Sequence, residues 1–441
     1  MVDGQLPRTM KCDAAQRPLR IAVVYSRIPF PMMRGDQMTV AHLISFLATR
    51  GHVVDLYTLA VDGELDAEQA QWLRRTCRGV RIYPQPWRAK LAGLTVGLLS
   101  LLPLQVSIFR NPGLKRDLEL AIRSDEYDVV YCYYPRTAPA IPSSVKANPG
   151  TASFLALQLS QTLNTKRMAR NERSWLKRLI YRVEAVLMGR FEARVWQDFN
   201  KVVLIGPADV AAVKEQCRAH DQPEIDNWIY GAHGTDTDKY VPANPSEIVP
   251  GRVIFSGSML YPPNIQAVLW FVGYVWPIVR AQIPDATLVI QGRDPSAKVR
   301  ELDGHDGIWV TGTVPDVGVL IRSAQVCVNP MLAAGGMQNK LIEYMACNKA
   351  VVASSVANEG IMAPNSALII ADTPDAFAVA VLRLLRDPEG ALRLGDAARQ
   401  YVLSHWTWEK HFLDLEEAFY NALDKHPVGA SEPQNRESDQ K

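Results

Sequence analysis

The sequence predicts an α/β protein built from two doubly wound, Rossmann-like domains that face each other across a cleft. Its 441 residues exceed the size at which a single core stops growing, so two domains of about 200 residues each are expected. A buried strand, a loop, an amphipathic helix, a glycine and a second buried strand open the chain, which is the pattern of a βαβ unit. The same alternation restarts near Gly251, after a loop-rich passage from Gly231 to Pro250.

The first strand spans Leu19 to Tyr25 and runs into a proline-rich loop. A helix is expected from about Gln37 to Arg50, with Val40, Leu43, Ile44 and Leu47 recurring at helical spacing on one face. Gly51 stops it, and His52 to Tyr57 begins the next strand. Further strands are expected at Val80 to Tyr83, Asp128 to Tyr134, Ser153 to Leu159 and Lys201 to Ile205. In the second half the expected strands are Arg252–Phe255, Ala286–Gln291, Ile308–Thr311, Gln325–Asn329 and Lys349–Ala353. One long helix is expected over Asn264 to Gln282 and another from about Gln338 to Cys347. Helices around Pro374–Leu385, Glu389–Ser404 and Trp408–Leu423 close the chain, and the polar residues from His426 read as a disordered tail.

Composition excludes several classes. With 48 Lys plus Arg against 46 Asp plus Glu, the formal charge is only +2, which argues against a nucleic-acid binder. Six cysteines at 12, 77, 132, 217, 327 and 347 form no C-x-x-C pair, which suits a reducing cytoplasm better than a zinc site or a disulfide framework. The first residues lack the apolar stretch of a signal peptide. Leu91 to Phe109 carries no charge over 19 residues, but Pro103, Gln105, Gly93 and Gly97 interrupt it. A buried or interfacial helix is the expectation there, ahead of a membrane span.

The segment Asn329 to Ser354, NPMLAAGGMQNKLIEYMACNKAVVAS, holds the most chemistry. A buried strand enters a Gly-Gly loop that opens a helix bearing Lys340 and Glu343. Gly335 and Gly336 would let backbone N–H groups approach a phosphate, and the helix N-terminus adds partial positive charge. Lys340 adds a full charge. Glu343, on the same face, could accept hydrogen bonds from a ribose diol. The competing reading is a surface Lys and Glu on an ordinary crossover helix, and chemistry alone does not separate the two.

The stretch resembles the donor-site signature of glycosyltransferase family four, the large retaining group with the two-domain GT-B fold. That family has a Glu-x7-Glu motif running into a helix like EAMAxGxPVVA, and this chain reads EYMACNKAVVA from Glu343. The first glutamate of the motif would fall at 335, which is glycine. This departure resembles a branch linked to bacterial exopolysaccharide (PEP-CTERM-type) loci, where the lysine at 340 would supply charge to the phosphates. Other blocks agree. VIFSGSMLYPPNIQAVLWF from Val253 resembles the GSMDYxPNxxAVxWF block, and IQGRDP at Ile290 the IVGRNP strand end. VTGTVPDV at Val310 resembles a loop whose backbone reads the nucleobase, and RIPFPMMRGD at Arg27 a block whose glycine faces the donor phosphates. Where many relatives carry an arginine and a lysine for the diphosphate, the resemblance places Met259 and Asn264 or their neighbours in this chain.

The resemblance covers about residues 19 to 420 and implies a division of labour. Residues 1–18 would be a leader, 19–228 an acceptor-side domain, 229–405 the nucleotide-sugar-binding domain, and a helix at about 406–424 would pack back on the first domain, ahead of the disordered tail, residues 426–441. Glu343 and Lys340 are the expected catalytic residues. Gly35, Gly257, Ser258, Gly292, Arg293, Thr313, Val314, Gly335, Gly336, Met337, Gln338 and Asn339 are expected around the donor. Asp36, Tyr134 and Arg136 are expected on the acceptor side. The implied activity is transfer of a sugar, with retention, from a nucleotide diphosphate sugar to a glycan, a lipid-linked or a small-molecule acceptor. A non-catalytic nucleotide-sugar-binding subunit and a GT-B epimerase are the alternatives. No cofactor and no metal are expected. Asp236-Thr237-Asp238 has the form of a D-x-D metal site, yet it falls in HGTDTDKYVP, which resembles the family's interdomain segment.

Residues 165 to 201 hold ten Lys or Arg against four acids, interleaved with apolar residues at helical spacing. A solvated charged face is one reading. A second is an interfacial helix that meets anionic lipid from the cytoplasmic side, with the protein peripheral to the inner face of the membrane, and RNA binding is a minor third.

Overall fold

β1 (Arg20–Tyr25) is buried along both faces, as expected of a central strand in a parallel sheet covered by helices. The computed structural model describes residues 17–32, 34–61, 65–142, 145–146, 148, 150–172, 174–231, 234–332 and 337–424. The expected tail at 426–441, and the expected leader apart from residues 17 and 18, lie outside them.

The chain divides into two units. The first comprises residues 1–204, 210–231 and 412–441, the second residues 205–209 and 232–411. After β1 the chain forms α1 (Gly35–Thr49), β2 (Val53–Ala60), α2 (Ala67–Thr76), β3 (Gly79–Pro84), α3 (Trp87–Leu99), α4 (Leu104–Ser107) and α5 (Pro112–Arg123). It continues through β4 (Val129–Tyr133), β5 (Ala152–Gln158), α6 (Gln161–Asn171), α7 (Trp175–Val195), β6 (Lys201–Leu204), α8 (Pro207–Ala219) and β7 (Trp228–Tyr230). The seven strands pair in parallel in the order β3-β2-β1-β4-β5-β6-β7. In register, Ile21 lies between Val54 and Val129.

The second unit runs β8 (Arg252–Ser256), α9 (Pro262–Trp270), α10 (Trp276–Gln282), β9 (Thr287–Gln291), α11 (Ala297–Arg300), β10 (Ile308–Gly312), α12 (Val317–Ser323) and β11 (Val326–Asn329). Then come α13 (Asn339–Ala346), β12 (Ala350–Ala353), α14 (Ser355–Asn358), β13 (Ile369–Ile370), α15 (Pro374–Arg386) and α16 (Pro388–His405). Its strand order, β10-β9-β8-β11-β12-β13, repeats the pattern of the first six strands. In each sheet the order reverses beside the first strand, between β1 and β4 and between β8 and β11. The carboxyl ends of strands at such a reversal are where open α/β sheets bind ligands.

α17 (Trp408–Asp424) carries its last residues onto the first sheet. The Phe419 ring meets Phe154 and Tyr131 edge-on at 4.8 and 5.9 Å. Glu416 accepts from Arg50 and His52 at 2.9 and 2.7 Å.

Three elements differ from expectation. The helix expected over 264–282 is interrupted by a π-helical turn at Phe271–Val275. The Trp276 amide bonds back to the Phe271 carbonyl, because Pro277 has no N–H and crowds the turn before it. α1 starts at Gly35, so the glycine expected in a loop is the first helical residue. Leu91–Phe109 falls into α3 and α4, and α3 buries only Gly93 and Gly97, leaving Leu91, Leu98 and Leu99 at the surface.

Candidate active site

In the second unit the backbone brings three loops together at the strand ends. The Gly257 amide donates to the Gln291 carbonyl at 2.9 Å and the Met259 amide to the Arg293 carbonyl at 3.0 Å. The Gly292 amide reaches the Gly312 carbonyl at 3.3 Å. Gly292 is required for this approach, since a Cβ there would sit 2.0 Å from the Gly257 carbonyl oxygen. Gly257, Ser258, Gly292 and Arg293 therefore share one cluster, and Thr313 and Val314 follow the Gly312 that joins it. Arg293 itself is exposed, with its Nε 3.6 Å from Asp294.

α13 supplies the charge. Lys340, its second residue, is 9% exposed. Its Nζ donates to Asn264 Oδ1 at 2.6 Å, touches Met331 Sδ at 3.7 Å, and lies 4.5 Å from the centre of the Phe255 ring. A Cβ on Gly257 would stand 3.1 Å from the ammonium, so the glycine leaves the space next to it clear. Burial pushes Lys340 down to about 7, against an opposing pull from Glu343. These partners are neutral, so the ammonium is poised to gain from an anion. The surface-lysine reading does not hold for Lys340.

Asn264 is the residue that positions this ammonium. Its Nδ2 donates to the Ser258 carbonyl at 2.9 Å, which fixes Oδ1 toward Lys340. Met259 is buried and lies against Gly292. Tyr344, on the same helix, anchors α13 to the end of β8 by accepting from the Ser256 amide at 2.6 Å.

Glu343 is partly buried, one turn along from Lys340. Burial pushes its carboxyl up, while a hydrogen bond from the Tyr240 hydroxyl and the charges of Lys239 and Lys340 pull it down. Tyr240 is held in turn by Arg399, whose Nη1 donates to the Tyr240 carbonyl at 3.1 Å and also to the Ala346 carbonyl. Gln338 is buried, Met337 half-buried and Asn339 exposed. Gly335 and Gly336 lie outside the described residues.

The D-x-D is occupied with local structure: Asp236 Oδ1 accepts from the Asp238 and Lys239 amides, both at 3.0 Å. Sequence reasoning missed Tyr240 and Asn329. Asn329, at the end of β11, is fully buried, and neither atom of its amide has a partner. A buried aromatic in a loop and an amide ending an apolar strand carry no periodic signal that would single them out.

At the corresponding place in the first unit, Asp36, Tyr134 and Arg136 come together. Arg136 lies over the Tyr134 ring at 5.4 Å and the Phe109 ring at 5.0 Å, and Arg27 lies over Phe109 at 5.5 Å. Asp36 pairs with Arg34 at 3.2 Å. Gly35 precedes it at the start of α1. Tyr134 has a φ of +74°, a conformation costly for a non-glycine residue and often found at functional positions. Tyr25, Arg27 and Arg34 belong to this cluster too, and none was singled out from the sequence.

Two parallel-sheet α/β units with this repeated strand order have the GT-B fold. Sucrose-phosphate synthase from Thermosynechococcus elongatus is similar in structure, with a TM-score of 0.63 at 17% identity over 92% of this chain and all of that one. So is HepE of Anabaena in complex with UDP, with a TM-score of 0.60 at 15% identity over 91% of this chain and all of that one. Residues 250–387, from β8 to α15, match the family described as Glycosyl transferases group 1. Among curated proteins, an uncharacterized 44.6 kDa protein in the cps region of Klebsiella pneumoniae is 23% identical over 90% of this chain and 98% of its own length. A phosphatidyl-myo-inositol mannosyltransferase of Mycolicibacterium smegmatis is 26% identical over 84% of this chain and 85% of its own length.

Proposed function

We propose that this chain is a retaining, metal-independent glycosyltransferase that moves a sugar from a nucleotide diphosphate donor, held in the second unit, to an acceptor in polysaccharide or glycoconjugate synthesis. The observation that carries the reading is Lys340: a buried ammonium with neutral partners, at the start of α13 and against Gly257. A diphosphate beside it would receive a full charge in a desolvated setting, reinforced by the positive end of the helix. As the bond to the sugar breaks, charge collects on the leaving phosphate oxygen, where that ammonium counts most. Glu343, steadied by Tyr240, would hold the ribose hydroxyls and so fix the reacting carbon. With retention, the acceptor attacks from the face of the departing phosphate, and the phosphate takes the acceptor's proton. The UDP bound to HepE and the cps-region location of one relative's gene support the donor class and the pathway class.

The acceptor is proposed to be a glycan, a lipid-linked or a small-molecule hydroxyl compound, met at the inner face of the membrane by a cytoplasmic, peripherally bound protein. The surface of the first unit supports this. Leu99 is 86% and Trp175 74% exposed, and Trp87, Leu91, Leu98, Leu176, Leu179 and Val186 are exposed with them on α3 and α7. Glu184 of α7 caps α4 by accepting from the Leu104 and Gln105 amides, so the elements carrying these residues adjoin. Exposed Lys177 and Arg182 on α7 suit anionic lipid. No helix among the described residues is long and apolar enough to cross a membrane. The five described cysteines are buried and free, which suits a reducing compartment.

The test is turnover of a panel of UDP, GDP and dTDP sugars, with and without EDTA, by the wild type and Glu343→Gln. The reading predicts turnover of at least one donor, unaffected by EDTA and reduced about tenfold or more in the variant, as for loss of a charged hydrogen bond of about 1.5–3 kcal/mol. Binding without turnover would favour a non-catalytic subunit, and an absolute need for Mn²⁺ would contradict metal independence.

A further inference from the structure

The strand reversal of the first unit holds a cavity of about 110 Å³, several times the roughly 10–15 Å³ that admits one water. It lies between the end of β1, the loop after β4 and the start of α5. Tyr25, Ser26, Arg110, Asn111, Lys115, Arg136 and Thr137 supply its polar side chains, and no acidic side chain contributes. The wall is cationic for two independent reasons. Three basic side chains reach it, and α5, twelve residues long, begins there at Pro112 with the positive end of its dipole.

The polar groups of this wall are unfinished. Arg136 Nη1 is buried with no hydrogen-bond partner, although the residue sits between the Phe109 and Tyr134 rings. Ser26 is 1% exposed, and its hydroxyl is likewise without a partner. Buried donors of this kind are costly unless something accepts from them. Arg27 shares the Phe109 ring with Arg136, and burial together with that neighbouring charge holds the Arg136 guanidinium below its ordinary value. Asp36 pulls the other way, with only its Oδ1 paired to Arg34. An incoming anion would satisfy the open N–H and the hydroxyl and relieve the repulsion, and a guanidinium fits the paired oxygens of a phosphate well.

We propose that this cavity is a phosphate site that holds the anionic group of the acceptor. Naming the anion as the acceptor's rests on the transferase reading, whereas the site's chemistry does not. The phosphate belongs either to a soluble phosphorylated acceptor or to a lipid head group. Phe109 and Arg110 lie two and three residues past α4, which joins the exposed α3 to the cavity, so either source has a path to it.

The experiment uses the full chain saturated with UDP, so that the second unit is occupied, and inorganic phosphate as the probe. Calorimetry and the thermal midpoint are read for the wild type, Arg136→Met, Lys115→Gln and Lys340→Met. Phosphate should bind the wild type in the millimolar range or tighter and raise its midpoint. Arg136→Met should weaken it at least tenfold, Lys115→Gln about threefold, and Lys340→Met not at all. If Arg136→Met does not melt cooperatively, the exposed Lys115 decides. No phosphate binding by the wild type, or wild-type affinity in both the Arg136 and the Lys115 variants, overturns the site.

Two further arms compare glycerol 3-phosphate with phosphatidylcholine vesicles carrying phosphatidate. A loss in the Arg136 variant confined to the first assigns a soluble acceptor, and one in the vesicle arm a lipid head group. A loss in neither overturns the proposal. UDP binding is measured separately in each variant, so failure of the donor reading would be seen as such, with phosphate binding intact.

Discussion

At the end of β8 one ammonium, Lys340, lies buried against Asn264 and the Phe255 ring, whereas at the end of β1 two guanidiniums, Arg27 and Arg136, crowd the Phe109 ring. The sheets around them share one strand order, so the difference lies in the side chains rather than the topology. An ammonium gives up its proton when desolvated, and Lys340 is pushed down to about 7. A guanidinium keeps its charge at any physiological pH. Charge in the second unit is therefore conditional, and on the proposed reading it is supplied in full when a diphosphate draws the proton back. Charge in the first unit is permanent and is tempered by ring stacking and by Asp36.

Replacing the conditional charge should have the largest effect. Lys340→Met is expected to weaken nucleotide-sugar binding about 10- to 100-fold, from the loss of charged hydrogen bonds of about 1.5–3 kcal/mol. The thermal midpoint should hold or rise, because an unpaired buried cation gives way to an apolar chain of similar length. Phosphate binding to the first unit should not change. An unaltered donor affinity in calorimetry would break the comparison at its root.

A smaller effect is expected from Gly292→Ala. The added carbon would lie 2.0 Å from the Gly257 carbonyl and 3.0 Å from Met259 Cγ, so the loop beside Lys340 must move. Overpacking of this kind costs about 1–3 kcal/mol, readable as a lower urea midpoint, with weaker donor binding alongside. Retention of both would mean that the close approach of the β8 and β9 loops is not needed for the site.

Much of this was legible in the sequence where periodicity or punctuation marks it. The buried strands β1, β4, β5 and β8 and the helix carrying Lys340 and Glu343 follow from apolar runs bounded by glycine and proline. The edge strands β7 and β13, three and two residues long, have no such run and were not foreseen. Asn264 looked like a lost cation site, but its amide holds Lys340, an arrangement that depends on a contact between residues 76 apart. Tyr240 sits in a segment that reads as a connector, and only the folded chain brings its hydroxyl to Glu343. For α3, the charge-free run left a buried and an interfacial helix both open. The structure turns its glycines inward and Leu91, Leu98 and Leu99 outward, which spacing alone does not reveal.

The central claim, a Lys340 charge completed by the ligand, is tested most directly by proton uptake on binding. The probe is whichever nucleotide sugar the turnover panel selects, since its diphosphate diester does not titrate near neutrality. Calorimetry at pH 8 in two buffers of different ionisation enthalpy counts the protons. The free site, with Lys340 near 7, is mostly neutral there, and a bound diphosphate raises the lysine's affinity for its proton. The account predicts uptake approaching one proton at pH 8 and little at pH 6, with affinity falling up to about tenfold per pH unit above 7. Lys340→Met should abolish both the uptake and the slope. Binding by the wild type with no proton uptake and a flat affinity from pH 6 to 9 would contradict it.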